Sequence, residues 1–167
     1  MDIIRQAGES ETAVKTAPLL SRKIAGIGLP LFSIRTGEDF GIGEFLDLIP
    51  FIDWVSDHHF QLIQFLPMVE IAPSETSPYQ AWSAFAWDPI YLSMTRLVDF
   101  QESEAANRLF SSWKFQEELK RLRGSERVQY GSIRSLKDRL LELCFERFYL
   151  EEWRHDTPRA RAQKTFI

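Results

Sequence analysis

The stretch that decides the fold is FQLIQFL at residues 60–66, a short apolar run that ends at Pro67. A run of this length predicts a strand buried on both faces, as in a parallel sheet. A second run of this kind, IAGIGLPLF, occupies residues 24–32. Between the runs, Asp47 is placed to cap a helix with an apolar stripe at i, i+3, i+4 and i+7: Leu48, Phe51, Ile52 and Val55. Strand, helix and strand in this order predict a βαβ unit with a right-handed parallel crossover.

The segment after the second run, SETSPYQAWSAFAWDPIY at residues 74–91, has neither helical nor strand periodicity. We call it the aromatic loop. Its rings can bury large apolar areas, so we expect an ordered, buried loop and not a solvated linker. In sheets with parallel strands, ligands bind at the carboxyl ends of the strands, where this loop begins. Aromatic faces beside hydroxyl and amide groups suit a sugar, and the alternative is a loop that only caps the core.

Four ordered blocks of the sequence carry a resemblance to a known family. They are SPY at 77–79 with SAFA at 83–86 and DP at 88–89, GIGLPLFS at 26–33 with GIG at 41–43, LIQFLP at 62–67, and VQY at 128–130 with LK at 136–137. In these blocks the chain resembles the 4-α-glucanotransferases, also called amylomaltases or disproportionating enzymes, of glycoside hydrolase family 77. The likeness covers roughly residues 22–167. One departure is Asp88, where the family more often has Asn.

The resemblance implies an α/β fold and a division of the chain. Residues 22–100 would form the first βαβ portion of a (β/α)8 TIM barrel, and residues 101–167 part of a helical insertion subdomain. A polar leader, expected to be mobile, would precede them at residues 1–21. The implied activity is the transfer of α-1,4-glucan segments between maltooligosaccharides by a retaining double displacement, with no cofactor.

The resemblance also implies substrate-binding residues on the aromatic loop. In the family, the tyrosine of the Ser-Pro-Tyr block faces the sugar whose bond is broken, which gives that role to Tyr79. Ser77 and Gln80 would shape the loop beside it. Independently of the resemblance, the aromatic character of Trp82 and Trp87 predicts flat faces on which a glucan can stack.

The catalytic groups are not evident in the chain. A retaining transfer needs two carboxyl groups about 5–5.5 Å apart. Five carboxylates are candidates without a catalytic context: Asp39, Glu44, Glu70, Glu75 and Asp88. Turn formation explains Asp39 and Glu44, and Asp88 is expected to bond the backbone of its own loop. Glu70 and Glu75 would either touch a ligand or face solvent.

The resemblance places the nucleophile and the acid/base on later barrel strands, beyond residue 167. We therefore expect the chain alone to be inactive. Its apolar last pair, Phe166-Ile167, carries no capping signal and agrees with a sequence cut short.

The second half of the chain is predicted to be helical at residues 104–123 and 132–153, with a turn at Gly124-Ser125 or Gly131. The later helix has one apolar stripe: Ile133, Leu136, Leu140, Leu143 or Cys144, and Phe148. Its charged residues are expected to face solvent: Arg134, Lys137, Asp138 and Glu142. Thr157-Pro158 predicts a further helix, with threonine as N-cap and proline at the first position.

Composition limits the remaining possibilities. Hydrophobic residues make up 44% and the net charge is −4, which is typical of a globular protein and gives no reason to expect nucleic-acid binding. Gly26-x-Gly28 lacks the third glycine of a dinucleotide fingerprint. The single cysteine, Cys144, favours a packing role in a reducing compartment over a disulfide or a metal site. With no apolar run of signal-peptide or membrane-span length, we expect a cytoplasmic protein without a membrane partner.

A second interpretation, from another functional class, stays open at this point. The chain could be a non-catalytic carbohydrate-binding remnant or a helical interaction domain. The sequence leaves the oligomeric state undetermined.

Overall fold

The computed structural model describes residues 23–72 and 75–166. The predicted leader and Ser74 lie outside these ranges. Strands β1 (Gly26–Leu29) and β2 (Leu62–Phe65) pair in parallel, with Ile27 opposite Ile63. Helix α1 (Leu48–Asp57) lies between them in the chain, so the predicted order of strand, helix and parallel strand is confirmed.

The two strands are shorter and more exposed than predicted. A 3-10 turn (Leu31–Ser33) follows β1 directly after Pro30, whose missing N–H cannot extend a ladder. Side chains of both strands alternate between exposed and half-buried, so the prediction of strands buried on both faces is wrong. The described residues form a sheet of only these two strands, which leaves apolar faces uncovered.

Helix α1 begins differently from the prediction. A 3-10 turn (Phe45–Asp47) leads into it, and the Asp47 carboxylate accepts the N–H of Glu44 at 2.7 Å instead of capping α1. The predicted stripe is confirmed only in part. Val55 is buried and Leu48 and Phe51 pack against the core, whereas Ile52 is 48% exposed.

The second half of the chain is helical, as predicted, but its first helix is divided. Helices α2 (Val98–Glu102) and α3 (Glu104–Phe110) precede α4 (Trp113–Arg123). The break falls at Ser112, whose backbone is extended and whose hydroxyl donates to the carbonyl of Leu109 at 2.7 Å. Helix α5 (Tyr130–Phe148) continues into a π-helical turn (Tyr149–Trp153), and α6 (Pro158–Phe166) follows. Thr157 Oγ1 accepts the N–H of Ala160, which confirms the predicted N-cap.

One apolar core joins the loop after β1 to the helices. The Phe40 ring lies at its centre, 6.1 Å from the ring of Phe110 and 6.2 Å from that of Phe115. Helix α5 contributes four residues of the predicted stripe that are buried: Ile133, Leu136, Leu140 and Cys144. In the part of the chain that the structure describes, no helix is both long and apolar enough to cross a membrane.

Candidate functional site

The aromatic loop starts beyond the carboxyl end of β2 and folds back beside the chain that leaves this strand. Two short antiparallel bridges pair Val69 with Trp87 and Ile71 with Ala81. Glu70 lies between the bridges, and its carbonyl accepts the N–H of Trp82 at 2.8 Å. Main-chain hydrogen bonds therefore give the loop a defined backbone at the edge where a parallel sheet binds ligands.

The rings of this loop are exposed. Tyr79 is 70% exposed, Trp82 72%, Phe85 98% and Trp87 62%, so the prediction of a buried loop is wrong. The aromatic composition predicted an ordered loop. The backbone bridges order it, and burial of the rings does not. The loop thus carries four aromatic side chains that are each more than half exposed.

The predicted substrate-binding residues lie in two parts of the loop. Ser77, Tyr79 and Gln80 share one turn, in which the Gln80 N–H donates to the carbonyl of Ser77 at 3.1 Å. The Ser77 hydroxyl accepts the N–H of Tyr79 at 3.4 Å. Trp87 packs edge-on against Phe45 before α1, with ring centroids 5.4 Å apart. The structure thus places these residues on one exposed loop, and their contact with a glucan stays a prediction.

Asp88 closes the loop. It is 2% exposed, and its carboxylate accepts the N–H of Ile90 at 3.0 Å, which confirms the predicted bond to its own loop. Arg134 of α5 donates to both carboxylate oxygens of Asp88, at 2.8 and 2.6 Å. The prediction that Arg134 faces solvent is therefore wrong. Burial opposes the charge of Arg134, but the paired bonds to Asp88 raise the pKa of this guanidinium above its ordinary value.

The prediction that Lys137 faces solvent is also wrong. Its side chain is 1% exposed, and its ammonium donates to the carbonyls of Ile90 and Leu92 and lies 2.7 Å from Glu44 Oε1. Burial raises the pKa of Glu44 and lowers that of Lys137, because desolvation disfavours both charges. The helical spacing in the sequence already indicates that Lys137 is buried. Lys137 follows Ile133 by four residues and precedes Leu140 by three, so it belongs to the buried stripe.

Asp39, another candidate carboxylate, stabilises a turn. Asp39 is 1% exposed and accepts the N–H of Thr36, Gly37 and Gly41, as its predicted role in a turn requires. Burial alone would raise the pKa of Asp39, but the bond from Arg35 and these backbone bonds hold it below its ordinary value. Gly41 suits this turn because its φ is 92° and a Cβ would come within 3.0 Å of Leu122.

Glu70 and Glu75 are half-buried. Glu70 lines a cavity of about 540 Å³ together with Arg134, next to the base of the loop. A larger cavity, of about 660 Å³, lies near the end of α5 among aromatic side chains that include Phe145, Phe148 and Trp153. It contains none of the loop residues. Over the described ranges, no three His, Cys, Asp or Glu side chains come together as metal ligands would.

Comparisons with known proteins agree on one family. A family model described as 4-alpha-glucanotransferase matches residues 29–167. A 4-alpha-glucanotransferase of Chlamydia trachomatis serovar D is 40% identical over 112 residues, which are 67% of this chain and 20% of the relative. That of Chlamydia caviae is 49% identical over 82 residues, which are 49% of this chain and 15% of the relative.

A solved structure is similar in fold. The amylomaltase from Corynebacterium glutamicum matches with a TM-score of 0.64 at 22% identity, over 76% of this chain and 18% of that one. The chain spans about a fifth or less of the length of the relatives it matches.

Proposed function

The chain belongs to the 4-alpha-glucanotransferase family, and from that membership we propose that the protein carrying it transfers α-1,4-glucan segments between maltooligosaccharides. The transfer proceeds with retention, by a double displacement through a covalent glucosyl intermediate. Within this reaction, the present chain supplies part of the wall of the donor site.

The exposed aromatic loop carries the proposal. Exposed aromatic side chains on an ordered loop often mark an interaction site. Here Tyr79, Trp82 and Trp87 are each more than half exposed, although the backbone that bears them is ordered by bridges. The apolar C–H face of a pyranose ring can stack on such side chains, and displacing water from both faces favours the contact.

Each predicted residue has a role that its environment permits. Tyr79 stacks on the sugar at the scissile bond and offers its hydroxyl as a hydrogen-bond partner. Gln80 is exposed and presents an amide to sugar hydroxyls, while Ser77 holds the turn through its bond to the Tyr79 N–H. Trp82 and Trp87 extend the stacking surface along the glucan chain.

The catalytic carboxylates belong, in this proposal, to the part of the protein outside these 167 residues. Three of the buried candidates are engaged by cations: Asp39 by Arg35, Glu44 by Lys137 and Asp88 by Arg134. A carboxylate held in this way is poorly placed to attack an anomeric carbon or to exchange a proton with a leaving oxygen. The chain alone is therefore expected to be inactive.

The same proposal covers architecture and location. Residues 22–100 form the first βαβ portion of a (β/α)8 barrel, and residues 101–167 belong to a helical insertion. The proposed location is the cytoplasm, and the single cysteine, which favours a reducing compartment, supports it. It uses no cofactor.

Incubation with maltotriose tests the function. The protein that carries this chain is expected to produce glucose together with longer oligomers, and the 167-residue chain alone is expected to produce neither. Glucan binding without transfer by the full protein would favour the second interpretation, a non-catalytic carbohydrate-binding protein. Transfer by the chain alone, abolished by replacing one of its carboxylates, would contradict the placement of the catalytic groups.

A further inference from the structure

The exit of the aromatic loop is held by three successive contacts that the activity alone does not explain. Trp87 packs on Phe45, and Asp88 is bonded to Arg134. The carbonyls of Ile90 and Leu92 then accept the ammonium of Lys137. The exposed ring of Trp87 thus lies only a few residues before main-chain carbonyls that are bonded to Lys137.

Both cations of this arrangement come from one helix. Arg134 and Lys137 stand one turn apart on α5, whose Ile133, Leu136 and Leu140 are 0–1% exposed. A helix that packs into the core through such a stripe is held rigidly in place. α5 therefore helps to set the position of the loop exit, together with the bridge between Trp87 and Val69 and the bond from the Asp88 N–H to the Met68 carbonyl.

The pair of Asp88 and Arg134 is directional. Two parallel N–H···O bonds fix the angle between a guanidinium and a carboxylate, which a single ammonium cannot do. Arg134 Nε is buried and has no hydrogen-bond partner among the described residues, so the bonds to Asp88 alone orient the guanidinium. Asp88 is therefore held in a set direction, and the neighbouring Trp87 with it.

We propose that Arg134 is a positioning residue for glucan binding, acting through Asp88 to hold Trp87 and the exit of the aromatic loop in the orientation that meets the sugar. The proposal rests on the proposed function, since it deepens the account of the same site. It also gives a physical reason for aspartate at position 88, because a neutral asparagine could not form the paired ionic bonds.

A purely structural pair would behave differently from a positioning pair. Loss of a structural contact lowers the melting temperature but leaves the folded protein's affinity for glucan unchanged. Loss of a positioning contact weakens glucan binding in the folded protein, because displacement by about 1 Å is enough to reduce productive contacts. Local hydrogen exchange distinguishes the two cases without any glucan.

The variants are Arg134→Lys, which keeps the charge but not the paired bonds, and the double variant Asp88→Asn/Arg134→Gln, which removes both charges together. Arg108→Lys is the matched control, because Arg108 forms an exposed pair with Glu104 on α3. For each, in the protein that carries this chain, we would measure amide exchange over residues 68–91 and the dissociation constant for maltoheptaose at a temperature where the variant is folded.

For Arg134→Lys we expect exchange in residues 68–91 to accelerate about tenfold and the dissociation constant to rise on the order of tenfold, with exchange in α5 unchanged. The double variant should regain stability but not affinity. Arg108→Lys should alter neither quantity.

Unaltered affinity and exchange in both pair variants would overturn the proposal. Failure of both variants to fold would assign the pair to overall stability and overturn it likewise. Absence of maltoheptaose binding by the unmodified protein would count against the proposed function, and the exchange over residues 68–91 would still decide whether Arg134 holds the loop.

Discussion

Lys137 Nζ lies 2.7 Å from Glu44 Oε1, and the two side chains are 1% and 6% exposed. The same ammonium sits 5.2 Å from the centre of the Phe40 ring. Glu44 belongs to the segment just before α1, and Lys137 belongs to α5. This contact therefore ties the strand–helix–strand unit to the helical half of the chain through the middle of the core.

We predict that Lys137→Met destabilises the protein by about 3–5 kcal/mol, because it leaves the Glu44 carboxylate buried without its cation. Equilibrium unfolding in urea gives this value. The double variant Glu44→Gln/Lys137→Met should recover much of the loss, since no unpaired charge remains. Arg108→Gln, at an exposed pair, should cost less than about 1 kcal/mol. A Lys137→Met variant as stable as the parent would contradict the packing described for α5.

A second prediction concerns acid stability. The folded-state pKa of Asp39 lies below the ordinary value of 3.8, so the ionised carboxylate stabilises the folded protein. That contribution is fully present above pH 3.8 and is lost as the pH falls through the lower, folded-state pKa. The free-energy difference between the parent and Asp39→Asn should therefore be largest near neutral pH and shrink in acid. Asp53→Asn, at an exposed position of α1, serves as the control; a gap between parent and Asp39→Asn that widens in acid would show the sign to be wrong.

Cys144 is predicted to react slowly with thiol reagents. It is 4% exposed, and burial raises its pKa to about 11, so the nucleophilic thiolate is scarce at neutral pH. Ser135→Cys, at an exposed site of the same helix and in a Cys144→Ser background, should be labelled at least about 100-fold faster. Equal labelling rates in the native protein would show that α5 is rotated relative to this description.

Local patterns in the sequence predicted the elements that depend on local chemistry. The apolar runs predicted the parallel strands around α1, and Gly124 predicted the turn after α4. A hydroxyl before proline predicted the Thr157 cap. Apart from the start of α1 and the break at Ser112, the errors concern tertiary surroundings. Whether an aromatic ring such as Trp82 is buried depends on which other parts of the fold pack over it. Sequence periodicity does not reveal those contacts.

The misplaced cations have a more specific cause. The prediction rests on the rule that charged residues face solvent, although the helical positions of Arg134 and Lys137 adjoin the apolar stripe. Their burial becomes possible only because Asp88, Glu44 and two carbonyls meet them, and these partners lie more than forty residues away in the chain. Pairing over that separation cannot be deduced from one sequence.

The most direct test of the proposed glucan site is the effect of Tyr79→Ala on kcat/KM for maltotriose, in the protein that carries this chain. We predict a loss of about 1–3 kcal/mol in transition-state stabilisation, the scale of an aromatic contact together with a hydrogen bond. Tyr79→Phe should lose less, because it keeps the stacking face. Trp113→Ala, which removes a ring that is 75% exposed on α4, should leave kcat/KM unchanged. Unchanged kcat/KM in a correctly folded Tyr79→Ala variant would contradict the assignment of the aromatic loop to glucan binding.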